Sequence, residues 1–216
     1  MTNTGFASVV LDVDSTLCGV EGIDWLAERA SAEIGAAVSA LTDRAMRGEL
    51  ALDRVYGERL ASVRPTRHDV ALLADAYLDT LSPGAEAAIQ RLHGAGRRVV
   101  LVSGGLREAI LPMASRLGIA GTDVHAVSVH HDATGGYAGF DERSPLATAE
   151  GKHDVVAALR LPKRVLAVGD GATDLAMRPA VELFAAFIGF ARRPAVMLGA
   201  DLTLTTFDEL AELVLG

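Results

Sequence analysis

Three short Val-rich runs, Ser8 to Val13, Arg98 to Val102 and Arg164 to Val168, limit what this chain can fold into more than any other feature. Each ends in polar or glycine residues and is followed by a stretch with helical spacing. A strand that is apolar on both faces must be covered on both, which happens in a parallel sheet between helix layers and not in an antiparallel sheet with one wet face. The repeated order of strand then helix therefore predicts an α/β fold around one parallel sheet. With 216 residues, half of them apolar, the chain can bury one full core and carry a modest second lobe.

Two segments depart from that rhythm. Residues 20–82 carry almost no strand signal; Ile23, Leu26, Ala27 and Ala30 share one helical face, and Val70, Leu73, Ala74 and Tyr77 repeat the spacing. The expected architecture is a Rossmann-like parallel sheet flanked by helices, with a helical cap inserted after the first strand. Residues 1–19 and 83–216 then form the core domain, and residues 20–82 the cap. Val124 to Phe140 runs in short apolar pieces around Thr134-Gly135-Gly136, which predicts a small β-hairpin insertion placed to rim the site.

Charge and cysteine usage narrow the partners. Asp and Glu number 28 against 20 Lys and Arg, a net charge of -8, so a nucleic-acid backbone is repelled. The single cysteine, Cys18, allows no intrachain disulfide and no Cys cluster for zinc, and it reads as a small buried hydrophobe in a cytoplasmic protein. The first residues have no basic segment before their apolar run, which Asp12 interrupts, so they read as a strand and not as a secretory signal. Leu183 to Ala191 is far too short to cross a bilayer and is followed by Arg192-Arg193-Pro194, so no membrane partner is expected. The six histidines are scattered or, at His130-His131, adjacent, which is not a chelating arrangement. Oligomeric state leaves no trace in the sequence.

In open parallel sheets ligands bind beyond the carboxyl ends of the strands. Three such places carry polar chemistry here: Asp12-Val13-Asp14-Ser15-Thr16, Ser103-Gly104-Gly105 and Asp170-Gly171-Ala172-Thr173-Asp174, with Lys152 at the start of a helical stretch between the last two. Carboxylates gathered at buried strand ends need a cation. Asp12, Asp14 and Asp170 are hard oxygen donors that suit Mg²⁺, which takes few protein ligands and keeps sites for water and phosphate. The cation and Lys152 would screen the repulsion between an attacking Asp12 and a phosphoryl group. Asp14, two residues on and facing the same side of an extended chain, is placed to give a proton to a leaving alkoxide and later to activate water. Ser103 can donate from its hydroxyl, and the two glycines let backbone N–H groups approach phosphate oxygens. Each piece alone is commonplace; their order, each at a strand end or helix start, points to phosphoryl chemistry.

These residues resemble the four motifs of the haloacid dehalogenase superfamily, matched by Asp12 to Thr16, Ser103, Lys152 and Gly169 to Asp174 over nearly the whole chain. The resemblance implies a nucleophile at Asp12, an acid/base at Asp14, and Mg²⁺ held by Asp12, the carbonyl of Asp14 and Asp170, with Asp174 supporting the metal's water shell. Within the superfamily the chain is similar to the phosphoserine phosphatases through Asp14-Ser15-Thr16-Leu17, Glu21, Ile23-Asp24, Ala45-Met46-Arg47-Gly48 and Arg59. That similarity implies Glu21 for a substrate ammonium, Arg59 for its carboxylate, and Met46 and Leu52 as an apolar cover. A zwitterion needs one anion and one rigid cationic fork, so the residue types agree. Leu52 stands where that group often has an aromatic residue, Leu106 where it has Phe, and Thr173, which can still hydrogen-bond substrate, where it often has Asn.

The expected activity is hydrolysis of L-phosphoserine through an aspartyl phosphate, with Mg²⁺ as cofactor and a small phosphomonoester as partner. The alternative within the same chemistry is a phosphatase or phosphotransferase for another small phosphorylated metabolite. A receiver-type signalling module shares the Asp, the acidic pair and the Lys, but it carries its phosphorylated Asp on a later strand and has no large helical insertion.

Overall fold

Ser8–Leu11 forms strand β1, and every one of its side chains is buried. Val9 and Leu11 turn to one face of the sheet and Val10 to the other, where they join different apolar clusters. This two-sided burial is what an unbroken apolar strand requires, and each fully buried Val or Leu contributes about 1.5–3 kcal/mol relative to exposure. The computed structural model describes residues 5–46 and 52–216, with the side chains of residues 42–46 and 52–54 also left outside the description.

After β1 come four helices, α1 (Gly22–Ala30), α2 (Ala32–Met46), α3 (Leu52–Val63) and α4 (Arg67–Asp79). Helix α5 (Ala85–Gly94) leads into β2 (Arg98–Leu106), α6 (Arg107–Arg116) and β3 (Val124–Val127). The hairpin strands β4 (Val129–His131) and β5 (Tyr137–Phe140) follow, then α7 (Gly151–Ala158), β6 (Val165–Gly169), the short α8 (Ala172–Leu175) and β7 (Leu183–Phe187). The chain ends in α9 (Pro194–Gly199), β8 (Leu202–Leu204) and α10 (Phe207–Leu215). All six strands of the main sheet are parallel, in the order β3-β2-β1-β6-β7-β8.

The helical spacing read between the first two strands is realised. Ile23, Leu26 and Ala27 of α1 are buried, as are Val70, Leu73, Ala74 and Tyr77 of α4, while Ala30 faces solvent. Helix α4 starts at a capping box in which Thr66 Oγ1 accepts from Asp69 N and the Asp69 carboxylate accepts from Thr66 N, so two otherwise orphaned donors are satisfied. Leu26, Leu60, Leu73 and Tyr77 belong to the same apolar cluster as Val9, Leu11 and Leu101, so the inserted helices and one face of the sheet bury surface together.

The expected small hairpin is present around 134–136 but starts later than Val124: Val124–Val127 is instead an edge strand of the main sheet, paired in parallel with β2 at Leu101↔Val124 and Leu106↔Val127. Val124 and Val127 are buried against α6 and β2, and that burial outweighs any hairpin pairing. Only β4 and β5 pair antiparallel. Their turn is built by Asp132, whose Oδ1 accepts from Thr134 N at 2.8 Å and Gly136 N at 2.9 Å, and by Gly135 at φ 87, a conformation that favours glycine. The hairpin braces the inserted helices: Arg67 N donates to Gly135 O, the Phe140 ring lies 5.4 Å from that of Tyr56, and the Arg64 guanidinium sits over Tyr137. Among the described residues no helix is long and apolar enough to cross a membrane.

Candidate active site

Strand order reverses beside β1: the chain goes outward through β2 and β3, then returns to pair β6 on the other side. The crevice beyond the carboxyl ends of β1 and β6 is the place where such sheets bind ligands. Asp12 follows β1 and Asp170 follows β6, and Asp12 N donates to Val168 O, which ties the two strand ends together.

Lys152 enters this crevice from the first turn of α7. Its Nζ donates to Asp12 Oδ1 and to Asp174 Oδ1, each at 2.6 Å, and all three side chains are buried. Gly151 makes that approach possible, because a Cβ there would stand 1.7 Å from Pro145 O. Gly169 does the same for Asp174, whose Cγ would lie 2.2 Å from a Cβ at 169. The other Asp174 oxygen accepts from Gly171 N at 2.9 Å. Burial works against the ammonium of Lys152, yet the adjacent Asp12 and Asp174 more than offset it and push its pKa up, so it is a permanent cation.

The carboxylates pay for this crowding with raised pKa values. Asp12 lies well above the usual carboxylate range through burial and the charge of Asp174, which outweigh the help of Lys152. Asp170 is raised to about 7 by burial and again by Asp174. Carboxylate oxygens of Asp12, Asp170 and Asp174 all lie within 4.8 Å of one another. Buried hard donors whose charge is under-compensated by the surrounding protein, with no sulfur or imidazole among them, fit Mg²⁺.

Asp14 has a different environment. Its Oδ1 accepts from Tyr77 OH at 2.7 Å and its Oδ2 from Gly22 N at 3.0 Å, so helices α1 and α4 fix its orientation. Burial and the nearby charge of Glu21 raise it, the two donors pull it back, and the result is about 6. The turn between the two aspartates and α1 passes through Ser15 at φ 54, and Ser15 Oγ donates to Glu21 Oε1 at 2.7 Å. Thr16 Oγ1 donates to Asp170 Oδ1 at 3.3 Å.

Ser103 is buried at the bend of β2, where Gly105 N donates to its Oγ at 2.9 Å. Tyr56 OH donates to Gly104 O at 2.7 Å, which links α3 to this loop. A Cβ at Gly105 would crowd both Ser103 Oγ and Tyr77 OH at 3.1 Å, so this stretch of backbone must lack a side chain to lie so close to the crevice. Thr173 is half-buried on the first turn of α8, beside Asp174.

Of the residues read as substrate contacts, Glu21 stands at the start of α1 within the crevice rim, paired with Ser15 Oγ and Arg193 Nη2. Arg59 on α3 pairs with Asp24 at 2.9 Å, one turn beyond Glu21, and its buried Nε has no partner among the described residues. Met46 and Leu52 have side chains outside the described residues. Three contributors lie outside the site residues expected from the sequence: Tyr77, whose spacing predicts only a core position, Tyr56, and Arg193, which there only marks the end of an apolar run. Nothing local marks a tyrosine 63 residues downstream as the partner of Asp14, whereas Arg193 carries a signal in its position, shortly after an apolar run that forms an interior strand of the sheet.

Residues 6–181 match the haloacid dehalogenase-like hydrolase family. The chain belongs to that family and is a hydrolase. It is 38% identical over 206 residues to the phosphoserine phosphatase of Rattus norvegicus, covering 94% of this chain and 91% of the relative. A phosphoserine phosphohydrolase-like protein from Francisella tularensis superposes with a TM-score of 0.82 at 25% identity, over 96% of this chain and 99% of that one. A substrate-bound phosphoserine phosphatase complex gives a TM-score of 0.79 at 25% identity, over 96% and 98% of the two chains.

Proposed function

We propose that this chain is a Mg²⁺-dependent phosphomonoesterase that hydrolyses L-phosphoserine to L-serine and phosphate, with Asp12 as nucleophile. The observation that carries the reading is the contrast between two aspartates two residues apart. Asp12 is clamped by a buried Lys152 amid other carboxylates, while Asp14 is held apart by Tyr77 and Gly22 at a pKa of about 6. Paired carboxylates with separated environments divide nucleophilic and proton-transfer roles. The phosphoserine phosphatases to which the chain is similar support the substrate.

In this mechanism an Asp12 carboxylate oxygen attacks phosphorus as the ester P–O bond breaks, and Asp14 gives its proton to the serine alkoxide. The Asp14 carboxylate then takes a proton from water, whose oxygen attacks the same phosphorus and releases phosphate and free Asp12. Lys152, Ser103 and the N–H groups around Gly104 and Gly105 would bind the phosphoryl oxygens, with Thr173 contributing from α8. Mg²⁺ would be held by Asp12, the Asp14 carbonyl and Asp170, with Asp174 supporting it. Bound there, it supplies charge neutralisation that lets an anionic nucleophile meet an anionic phosphoryl group.

Glu21 would meet the substrate ammonium and Arg59 its carboxylate, the latter exchanging Asp24 for substrate and gaining a partner for Nε. Met46 and Leu52 would cover the substrate's methylene. Residues 20–82 act in this reading as a cap over a core of residues 1–19 and 83–216, which closes to exclude water, and the enzyme works in the cytoplasm. A panel of phosphorylated amino acids and sugars, assayed in Mg²⁺ with and without homoserine as acceptor, tests the assignment. Highest kcat/KM is expected on L-phosphoserine with free phosphate as product; preference for a sugar phosphate, or transfer to homoserine, overturns it.

A further inference from the structure

Arg193 has no role in the chemistry above, yet it reaches into the crevice and joins two of its parts. From the start of α9 its Nε donates to Asp170 Oδ2 at 3.0 Å, and its Nη2 lies 2.9 Å from the same oxygen in an ion pair and donates to Glu21 Oε1 at 3.1 Å. Asp170 is buried while the guanidinium is 41% exposed, so the charge comes in from the solvent side onto a carboxylate that has little other compensation. The contact is not a chance of one long side chain. The loop that carries Arg193 is pinned by Phe190 to the segment between β1 and α1 that also carries Glu21; the Phe190 ring would stand 3.0 Å from a Cβ at Gly19 and packs on Phe187, which in turn packs on Phe207.

We propose that Arg193 is a positioning residue that competes with the cation for Asp170 and yokes Asp170 to Glu21. The buried cluster holds Asp12, Asp170 and Asp174 against one ammonium, Lys152. Arg193 supplies the second positive charge, on the oxygen of Asp170 that Thr16 does not use. A divalent cation that takes Oδ2 of Asp170 must share that oxygen with the guanidinium or release it. Arg193 therefore holds the carboxylate in place before the cation arrives and weakens the affinity for it. By reciprocity, a bound cation weakens the hold of Arg193 on Asp170 and frees the loop of Ile188 to Arg193. Glu21 keeps the second arm, so the residue read above as the ammonium contact is held toward the metal site in the resting molecule.

This proposal rests on Asp170 as a metal ligand, and the test separates the two. Mg²⁺ binding is measured by titration calorimetry without substrate on the full chain, Arg193→Met, Arg193→Lys and Asp170→Asn. Arg193→Met is expected to bind Mg²⁺ about three- to tenfold more tightly, with Arg193→Lys between it and the parent. Equal or weaker binding in a folded Arg193→Met overturns the competition. An Asp170→Asn chain that binds as the parent does would remove the metal assignment itself. Because a variant can misfold, hydrogen exchange of the unaltered protein supplies a second reading: Mg²⁺, and not an equal ionic strength of NaCl, is expected to speed exchange in residues 188–193. No change there also overturns the proposal.

Discussion

At the residue scale, the site gives carboxylates of one type distinct environments. Asp12 faces Lys152, whereas Asp14 faces a phenol and a backbone amide. Asp12→Asn keeps the size and the Lys152 contact but removes the proposed nucleophile, so turnover is expected to fall by about 10³-fold or more with the far-UV spectrum and melting temperature retained. A steady-state phosphate-release assay checks this, and substantial turnover in that variant is incompatible with a covalent aspartyl route. Tyr77→Phe removes a donor that favours ionised Asp14, so the Asp14 pKa rises above its present value of about 6. Where the protonated acid is the required form, the alkaline limb of kcat/KM moves to higher pH; a pH-rate profile reads the shift.

At the element scale, the site depends on how closely strands and helix starts can approach. Helix α7 delivers Lys152 only because position 151 lacks a side chain, and strand β6 accommodates Asp174 only because position 169 does. Gly151→Ala would drive a methyl group into the Pro145 carbonyl, so α7 or the 145–147 turn must shift. A loss of about 1–3 kcal/mol in stability is expected from such overpacking, together with a fall in kcat greater than any rise in KM, because Lys152 moves with the helix. Chemical denaturation and steady-state kinetics on the one variant test both parts. The hairpin shows how local pattern can mislead. Val124 to His131 reads as one apolar piece followed by another, and pairing with β2 claims the first of them.

At the scale of the whole molecule, burying several carboxylates together makes stability depend on pH and on cation. Asp14 and Asp170 titrate at about 6 and about 7 in the folded protein, against roughly 3.9 for an unfolded Asp. Between those values the folded chain binds more protons than the unfolded chain, so metal-free stability from these groups is full below about pH 4 and is lost as pH rises toward 7. In the proposed reading Mg²⁺ would bind the ionised cluster, so the increase in melting temperature on adding it should be larger at pH 7.5 than at pH 5.5, and smaller in Asp170→Asn at both. Scanning calorimetry in EDTA and in Mg²⁺ checks the sign; an equal increase at both pH values would contradict it.

The sequence by itself determined the parallel sheet, the helical insertion and the short list of polar residues at strand ends. Those features follow from two-sided apolar burial and from spacing within single segments, both of which are local properties. Only the tertiary structure decided which of those polar groups meet. Lys152 lies 140 residues from Asp12 and Tyr77 lies 63 from Asp14, and neither distance has any periodicity to betray it. Arg193 reaches Glu21 across 172 residues because reversal of strand order beside β1 brings the loop after β7 back to the linker after β1. Long-range electrostatics of that kind depends on where the chain returns, which the packing of the finished sheet decides and no single segment encodes.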